Sequence, residues 1–360
     1  MIFTPLYINY PNWISAQIFP DVPVLGLIRW YGLMYIFAFA TAFLILRKEM
    51  KEGALDTPDK KATDDDIFSF IACGIIFLLI GARIFSTLVY DTSGLYLKKP
   101  WLIFWPFDTK THKFTGLAGM SYHGGFIGGL IGMIIWCTWH KRPLWKWIDA
   151  MCVAIPLGYT FGRIGNFMNG ELYGRITTVP WGMIFPHAER FSASLDWVQE
   201  FAQRCGMTIA EGTRFVNLPR HPSQLYEALF EGLFLWLLLW LLRKHKPFDG
   251  FLGTMYAVGY GFVRFIIEYF REPDSDLGFR ISKTGNEAIY TNTSLLDIST
   301  GQVFCFVMIF GGLILMLCLY FWDKHKKNKE TLSKAKQGTN SKKTANSDKT
   351  VIMKKDKKNK

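Results

Sequence analysis

Residues 162–174 combine side chains that could bind a polar ligand with a position where such side chains are costly. The stretch reads Gly-Arg-Ile-Gly-Asn-Phe-Met-Asn-Gly-Glu-Leu-Tyr-Gly and ends an apolar segment long enough to cross a membrane. Its polar side chains are Arg163, Asn166, Asn169 and Glu171. Hydrocarbon cannot solvate them, so a bound polar ligand would offset the cost. Because glycines also allow close backbone approach, the pattern predicts the floor of a binding or active site.

A second polar group lies on a later apolar segment. Tyr260, Arg264 and Glu268 are spaced i, i+4 and i+8, so a helix would place all three on one face. The Arg264–Glu268 pair could be purely structural, since internally neutralised ion pairs occur in helical bundles. With Arg163 at the same level, however, two guanidiniums would converge and favour an anion between them. Guanidinium groups suit phosphate, which they bind through two parallel hydrogen bonds.

His123 opens another apolar segment and is followed by two glycines, in Ser121-Tyr122-His123-Gly124-Gly125. A histidine at such a place is often a helix cap or a headgroup contact, but a neutral imidazole there could also accept a proton. The GxxxG spacings after it indicate close helix packing. Arg83, inside a further span, either pairs with a buried glutamate such as Glu227 or Glu231 or joins the anion site. The sequence leaves both alternatives open.

Seven apolar runs of roughly 18–22 residues must position these side chains, and they predict an all-α polytopic membrane domain covering residues 1–322. Half of the 360 residues are hydrophobic and the mean hydropathy is +0.15. The first helix is expected to be a retained anchor, because no basic segment with a cleavage site precedes it. The predicted transmembrane helices run from about Leu25 to Leu46, Ile67 to Tyr90, Tyr122 to Trp139, Trp147 to Phe167, Gln224 to Leu242, Phe251 to Phe270 and Gly301 to Trp322.

Lysines and arginines in the short connections predict the orientation, because these residues concentrate on the cytoplasmic side. They follow the first, third, fifth and seventh predicted helices. The N-terminus and the loops 91–121, 168–223 and 271–300 are then outside, and the C-terminus is cytoplasmic. The long segment 168–223 is expected to form a small extracytoplasmic cap. This arrangement puts the polar motif at the outer face of the membrane.

The segment 323–360 differs in composition from the rest of the chain. It contains 14 lysines against four acidic residues, which accounts for most of the formal charge of +12. A stretch of Lys, Ser, Asn and Thr cannot form a core, so a disordered tail is predicted. Its position directly after a membrane span favours a cytoplasmic end that contacts anionic lipid headgroups, and argues against nucleic-acid binding.

Several kinds of chemistry find no support in the sequence. The six cysteines show no CxxC spacing and no pairing with histidines, so neither a disulfide framework nor a zinc site is predicted. The chain also lacks a Walker A loop, an HExxH motif and a GxSxG elbow. We therefore expect no metal and no cofactor.

The pattern Gly-Arg-x-Gly-Asn-Phe-x-Asn-x-Glu-x-x-Gly, which 162–174 satisfies at every fixed position, resembles the signature of the prolipoprotein diacylglyceryl transferases. The resemblance covers roughly residues 20–322 in the right order. It extends through Trp30-Tyr31-Gly32-Leu33-Met34-Tyr35, Tyr122-His123-Gly124-Gly125, Arg220-His221-Pro222-Ser223-Gln224-Leu225-Tyr226-Glu227 and Tyr260-Gly261-Phe262-Val263-Arg264.

The resemblance implies a seven-helix enzyme of the bacterial inner membrane. Such an enzyme transfers the diacylglyceryl group of phosphatidylglycerol to the lipobox cysteine of a prolipoprotein signal peptide, which is the first step of lipoprotein maturation. A thioether forms and glycerol phosphate leaves. The resemblance points to positions important for activity or lipid binding at Tyr31, His123, Arg163, Asn166, Asn169, Glu171, Gly174, Tyr260, Arg264 and Glu268.

Roles for these residues follow as expectations. Arg163 and Arg264 would hold the lipid phosphate, Glu268 would orient Arg264, and His123 would take the thiol proton. Tyr31 and Tyr260 would donate hydrogen bonds to phosphate or ester oxygens. Asn166, Asn169 and Glu171, with Gly174 in the same motif, would bind headgroup hydroxyls or shape the loop.

Two features depart from the family pattern. The basic tail is longer than the family needs, and 275–293 looks like an insertion. A rival function from another class is a non-enzymatic lipid or anion transporter that uses the same arginines as a binding station. Because the polar clusters gather at one face, chemistry at that face is favoured over transport.

Overall fold

The computed structural model describes residues 7–19, 29–107, 111, 119–272, 279–281 and 294–356, and for 279–281 and 333–356 it describes the backbone alone. The predicted start of the first helix at 25–28 and most of the predicted insertion 275–293 lie outside these residues. Helices dominate the fold. They are α1 (Trp30–Lys51), α2 (Asp64–Phe85), α3 (Leu95–Lys98), α4 (Tyr122–Trp139), α5 (Leu144–Met168), α6 (Asp196–Arg204), α7 (Ser223–Tyr226), α8 (Leu235–Leu242), α9 (Phe251–Ile267) and α10 (Thr300–Asp356).

Among the described residues, four helical stretches are long and apolar enough to cross a membrane, and α9 is a shorter apolar helix. Many large apolar side chains point away from the bundle, as lipid-facing side chains do. Phe68, for example, is 68% exposed. The fold is therefore that of a polytopic helical membrane protein, as predicted. The four stretches are Trp30–Lys51, Asp64–Tyr90, Ser223–His245 and Thr300–Leu332.

The long helices pack in pairs, α2 with α4, α1 with α5, and α9 with α10. The glycines of α4 allow the first of these contacts, since a Cβ on Gly132 would lie 2.9 Å from the Cys73 carbonyl oxygen. This agrees with the packing role predicted from the GxxxG spacings. At the end of the bundle opposite to the 162–174 motif, Phe70, Trp136 and Trp147 form the buried centre of the largest hydrophobic cluster.

Several helices differ from their predictions by a few residues, and in two places the structure shows what differs. Helix α2 begins at Asp64 instead of Ile67, because Thr63 and Asp66 form a capping box in which each side chain accepts the other's backbone N–H. Between α7 and α8 the chain forms a π-helix at Glu227–Phe234, which the apolar pattern does not predict. Such widened turns inside helices are rare and frequently mark functional sites.

The segment 168–223 has a small hydrophobic cluster of its own, with Val198, Cys205 and Leu218 fully buried. Helix α6 covers this cluster, and the antiparallel strands β3 (Phe191–Ser192) and β4 (Phe215–Val216) border it. Two more pairs of short strands are present. One joins the N-terminal segment to 168–223, and the other lies near the start of α10. They are β1 (Ile8–Asn9) parallel to β2 (Met183–Ile184), and β5 (Phe279–Ile281) antiparallel to β6 (Ile298–Ser299).

The basic tail is helical where disorder was predicted. Helix α10 passes from the apolar span through Asp323 and ends at Asp356. A helix that is already formed adds further residues without a new nucleation cost, and lysine, glutamate and alanine have favourable helix propensity.

Candidate active site

Three helices bring the predicted charged residues together. Helix α5 carries Arg163 in its last turns, the π-helix carries Glu227 and Glu231, and α9 carries Arg264 and ends next to Glu268. Both π-helical glutamates are fully buried. Since a buried carboxylate requires partners, the surrounding arginines determine whether this arrangement is possible.

Glu227 is the centre of the cluster. Its Oε2 lies 2.8 Å from Arg163 Nε and 3.2 Å from Arg264 Nη1, and its Oε1 lies 2.8 Å from Arg271 Nη1. One carboxylate thus contacts three guanidiniums. The anion that the two converging arginines were expected to favour is supplied, in part, by the protein itself.

Two further carboxylates complete the cluster. Arg264 Nη1 lies 3.5 Å from Glu231 Oε1, and its Nη2 lies 3.1 Å from Glu268 Oε2. Glu268 also accepts a hydrogen bond from Ser299 at 3.2 Å. The predicted Arg264–Glu268 pair is therefore present, but it belongs to a cluster of three arginines and three glutamates with no net formal charge.

The two signs of charge differ in accessibility. The side chains of Arg163, Arg264 and Arg271 remain 18%, 17% and 15% exposed, whereas those of Glu227 and Glu231 are 0% exposed. The accessible rim is consequently positive above a buried negative layer. Such a rim can bind an anion while the carboxylates fix the guanidiniums in place.

The asparagines of the 162–174 motif bind its glutamate. Asn166 Nδ2 and Asn169 Nδ2 donate to Glu171 Oε1 at 3.0 and 3.2 Å. Gln224 Nε2 donates to the Glu171 carbonyl oxygen at 2.6 Å. Asn166 Oδ1 lies 3.5 Å from Arg163 Nη1, so the loop is joined to the arginine cluster. These contacts correspond to loop shaping, one of the two roles predicted for the motif.

Gly174 lies where the motif meets the ends of two other segments. Its N–H donates to the His221 carbonyl oxygen at 2.8 Å, and it bridges to Arg271 in antiparallel fashion. A Cβ at this position would lie 2.9 Å from the Cβ of His221. Burial and the nearby Arg175 lower the pKa of His221 to about 4, so its imidazole is neutral in the folded protein.

The two predicted tyrosines have different surroundings. Tyr260 lies against the ring of Tyr159, with centroids 5.9 Å apart, and the Tyr159 hydroxyl donates to Glu227 and Glu231. Tyr260 therefore borders the cluster. Tyr31 contacts the Tyr35 hydroxyl at 3.2 Å and packs beside Gly165 of the motif helix.

His123 lies on the α2–α4 pair. Its Nδ1 is 2.8 Å from the Tyr90 hydroxyl, and its ring faces Phe85 and Tyr122. Within the described residues, the hydrogen bonds and ring contacts of His123 are made with these neighbours and not with the arginine cluster. The imidazole is exposed.

Arg83 follows neither of its two predicted alternatives. This buried guanidinium donates to the backbone oxygens of Ile103 and Gly119, and it lies over the ring of Tyr96. It holds the connection between α2 and α4 in place. The role is structural, because carbonyl oxygens of an irregular segment need donors at this depth.

Two members of the cluster, Arg271 and Tyr159, were not predicted from the sequence. Arg271 lies beyond the end of α9, where it bridges to Gly174, so helical spacing does not predict it. Tyr159 is four positions before Arg163 on α5, a spacing that places the two on one helical face. The cation–π contact of Arg163 over Tyr159, at 4.7 Å, follows from that spacing.

The fold and the cluster together define a polytopic helical membrane protein with an accessible guanidinium rim over buried carboxylates. The chain belongs to the prolipoprotein diacylglyceryl transferase family, whose model matches residues 22–318. The resemblance in the motif blocks is thereby confirmed.

Curated relatives match nearly the whole chain. It is 50% identical over 325 residues to the phosphatidylglycerol–prolipoprotein diacylglyceryl transferase of Treponema pallidum, covering 89% of this chain and 97% of that relative. The protein of the same name from Treponema denticola is 52% identical over 335 residues, covering 90% and 98%. That from Borrelia garinii subsp. bavariensis is 40% identical over 337 residues, covering 91% and 99%.

Proposed function

We propose that the protein is a transferase that moves the diacylglyceryl group of phosphatidylglycerol to the thiol of a prolipoprotein lipobox cysteine. The observation that carries this proposal is the positive rim of Arg163, Arg264 and Arg271 over buried glutamates, in a chain of this family. A lipid phosphodiester is an anion whose oxygens accept the hydrogen bonds that guanidiniums donate.

The chemical step is a substitution at the glycerol carbon. The sulfur of the thiolate forms a bond to that carbon, and the carbon–oxygen bond to phosphate breaks. The oxygen keeps the electron pair and leaves as glycerol phosphate, and the thiol proton goes to a base. Negative charge grows on the leaving phosphate, so the arginines stabilise the transition state more than the bound lipid.

The carboxylates serve as positioning groups in this scheme. Arg163 contacts Glu227 through Nε, and Glu268 binds Arg264 through Nη2, so both guanidinium planes are fixed before lipid arrives. Preorganised donors need no rearrangement when charge develops. Tyr31, Tyr260, Asn166, Asn169, Glu171 and Gly174 complete the proposed lipid site.

His123 is the proposed acceptor of the thiol proton. A free thiol has a pKa of about 8.5, so most of it is protonated at neutral pH and a base is needed. The contact of Nδ1 with the Tyr90 hydroxyl bears on this role. If Nδ1 carries the ring proton and donates a hydrogen bond to the Tyr90 hydroxyl, Nε2 is the basic nitrogen available to the substrate cysteine.

The proposed location is the bacterial inner membrane, crossed seven times, with the N-terminus outside, the C-terminus cytoplasmic and the site at the outer face. The charge distribution supports this orientation. Arg243, Lys244 and Lys246 pair with Glu52 and Asp149 at the bundle end opposite to Arg163. Basic residues thus collect at one end, as they do on the cytoplasmic side of membrane proteins.

The test is incubation of the purified chain with phosphatidylglycerol and a lipobox peptide. The expected result is a peptide mass gain of one diacylglyceryl group, with release of glycerol phosphate. A peptide with serine in place of the cysteine is the matched control and should gain no mass. Absence of any gain, accompanied by lipid flux across protein-containing vesicles, would instead establish the transporter.

A further inference from the structure

A polar cavity of about 380 Å³ lies beside the 162–174 motif, and apart from Asn169 the residues that line it have no role in the proposed transfer. The N-terminal segment, the start of α1, the end of α5 and the cap segment contribute its walls. Its polar lining consists of side chains that can donate hydrogen bonds, including Ser15, Gln17, Arg29, Asn169 and His187. The volume falls in the range of small-molecule sites, about 300 to 1,000 Å³.

The lining of this cavity suits an anion. It includes the exposed guanidinium of Arg29, and none of the described residues that line it is acidic. A second cavity, of about 330 Å³ at the other end of the bundle, provides the contrast because Glu49, Glu52 and Asp149 are in its wall. Only the first cavity offers donors without competing carboxylates.

Hydrogen bonds connect the cavity to the arginine cluster. Asn169 lines the cavity and donates to Glu171 at 3.2 Å, Glu171 accepts from Asn166 at 3.0 Å, and Asn166 lies 3.5 Å from Arg163. Arg163, Asn166 and Asn169 succeed one another at the end of α5, about one turn apart. One hydrogen-bonded path, through Asn166, Glu171 and Asn169, therefore joins the arginine cluster to the wall of the cavity.

We infer that this cavity binds the glycerol phosphate group, an inference that rests on the proposed function. The leaving group has lost its acyl chains and carries a phosphate monoester of charge about −1.5 to −2 at pH 7, more than the lipid diester carries. Arg29 meets that charge, and the hydroxyl and amide groups of Ser15 and Gln17 meet the glycerol hydroxyls. The same chemistry would be recognised in the headgroup of the intact lipid.

The binding test uses the full chain in detergent without phosphatidylglycerol, titrated calorimetrically with glycerol phosphate. The expected result is that Arg29→Gln weakens binding about tenfold. Arg29→Lys keeps the charge without the planar fork and should retain part of the affinity. Arg214→Gln, which removes an exposed arginine of the cap segment outside the cavity, is the matched control and should bind as the unaltered protein does.

Equal binding of glycerol phosphate by Arg29→Gln and the unaltered protein would overturn the inference. An equal loss of binding in Arg214→Gln would also overturn the inference. His187→Gln provides a second variant should Arg29→Gln show an altered thermal unfolding curve, and it is expected to weaken binding in the same direction.

Steady-state kinetics identify the source of the group. If Arg29→Gln raises the inhibition constant of glycerol phosphate and leaves the KM for phosphatidylglycerol unchanged, the cavity holds the departing product. If both constants rise together, it holds the lipid headgroup. Failure of transfer by the unaltered protein, with Arg29-dependent binding of glycerol phosphate retained, would refute the proposed function and leave the site intact.

Discussion

The helical bundle has a cluster of arginines and carboxylates at each end, and the two clusters are built differently. In the cluster around Asp149, called the inner cluster after the proposed orientation, the Asp149 carboxylate accepts the N–H groups of Gly250 and Gly253 at 2.9 and 3.0 Å as well as Lys246. Arg243 there binds Glu52 through both carboxylate oxygens. In the cluster around Glu227, called the outer cluster, Glu227 binds three arginines, and no backbone N–H of the described residues donates to its carboxylate.

This difference separates a cluster that binds backbone from one that binds side chains. The inner carboxylate satisfies the start of α9, whose N-terminal N–H groups would otherwise lack partners. The outer carboxylates bind guanidinium groups that remain partly exposed. The same residue types therefore secure a helix end in one place and leave guanidiniums accessible in the other.

The largest difference in turnover between variants of the two clusters is expected for Arg163. Arg163→Ala is expected to lower transfer by about 10³-fold or more, because the developing phosphate charge loses a preorganised donor. Arg163→Lys should recover little, since lysine lacks the planar fork. The assay is the peptide mass gain under single-turnover conditions. The matched variant Arg243→Ala should keep turnover within about threefold, and near-normal transfer in Arg163→Ala would contradict the assignment.

His123→Gln tests the proton acceptor, which lies outside the outer cluster. Loss of a general base lowers rates by about 10²- to 10⁴-fold, so we expect a loss of at least about 10²-fold. Because the thiolate forms without a base at high pH, the loss should shrink between about pH 7 and pH 9. A pH-independent loss would indicate a structural role through Tyr90, and retained turnover would remove His123 from the base role.

Arg271 was found only in the structure and tests whether the whole outer cluster acts in transfer. Arg271→Ala is expected to lower turnover by about 10- to 100-fold, since Glu227 then loses one of its three arginine partners and the rim loses one charge. The peptide mass-gain assay measures this effect. Unchanged turnover would restrict the phosphate site to Arg163 and Arg264.

Asp149→Ala should lower the stability of the protein and leave its turnover nearly unchanged, the opposite of what is expected for the arginine variants of the outer cluster. Loss of the buried carboxylate leaves two backbone N–H groups without their partner and Lys246 with Asp249 alone, at a cost of about 3 kcal/mol in the free energy of unfolding. Turnover per folded molecule should change less than about threefold. Chemical unfolding in detergent measures the first quantity. A loss of turnover without a loss of stability would break the distinction between the clusters.

The smallest effect is expected from His221, whose backbone supports the motif through Gly174. Its pKa is about 4 in the folded protein against 6.5 ordinarily, so between these values the unfolded chain binds a proton that the folded protein does not. The free energy of unfolding should therefore fall as the pH drops from about 6.5 to 4, and this histidine should make no contribution well above pH 6.5. Thermal unfolding of His221→Gln should lack this dependence, and an unchanged profile would refute it.

Much of the site could be predicted because it follows local spacing. The motif helix, the start of α4 at Tyr122 and the shared face of Tyr260 and Arg264 are all visible in the sequence. The distribution of contacts between helices could not be read in the same way. Which carboxylate reaches Arg163 depends on helix packing, so the central position of Glu227 emerged only from the fold.

Two further features, the role of Arg83 and the π-helix, could not be predicted from residue type alone. Arg83 looked like a candidate for the anion site because it is a buried charge, but the donors needed by the irregular connection decide its role. The π-helix also escaped prediction, because an apolar run has the same composition whether its hydrogen bonds span four residues or five.

The π-helix at Glu227–Phe234 has a consequence for the register of the chain. A π-helical turn holds one residue more than an α-helical turn, so it behaves as a one-residue insertion in an otherwise regular span. If the same residues closed as an α-helix instead, the residues on its two sides would rotate by about 100° relative to each other. Glu227 could not then face the arginines while Leu235 and Leu239 kept their places in the core. The extra residue in the π-helix thus lets one span direct Glu227 toward the arginines and Leu235 and Leu239 into the hydrophobic core.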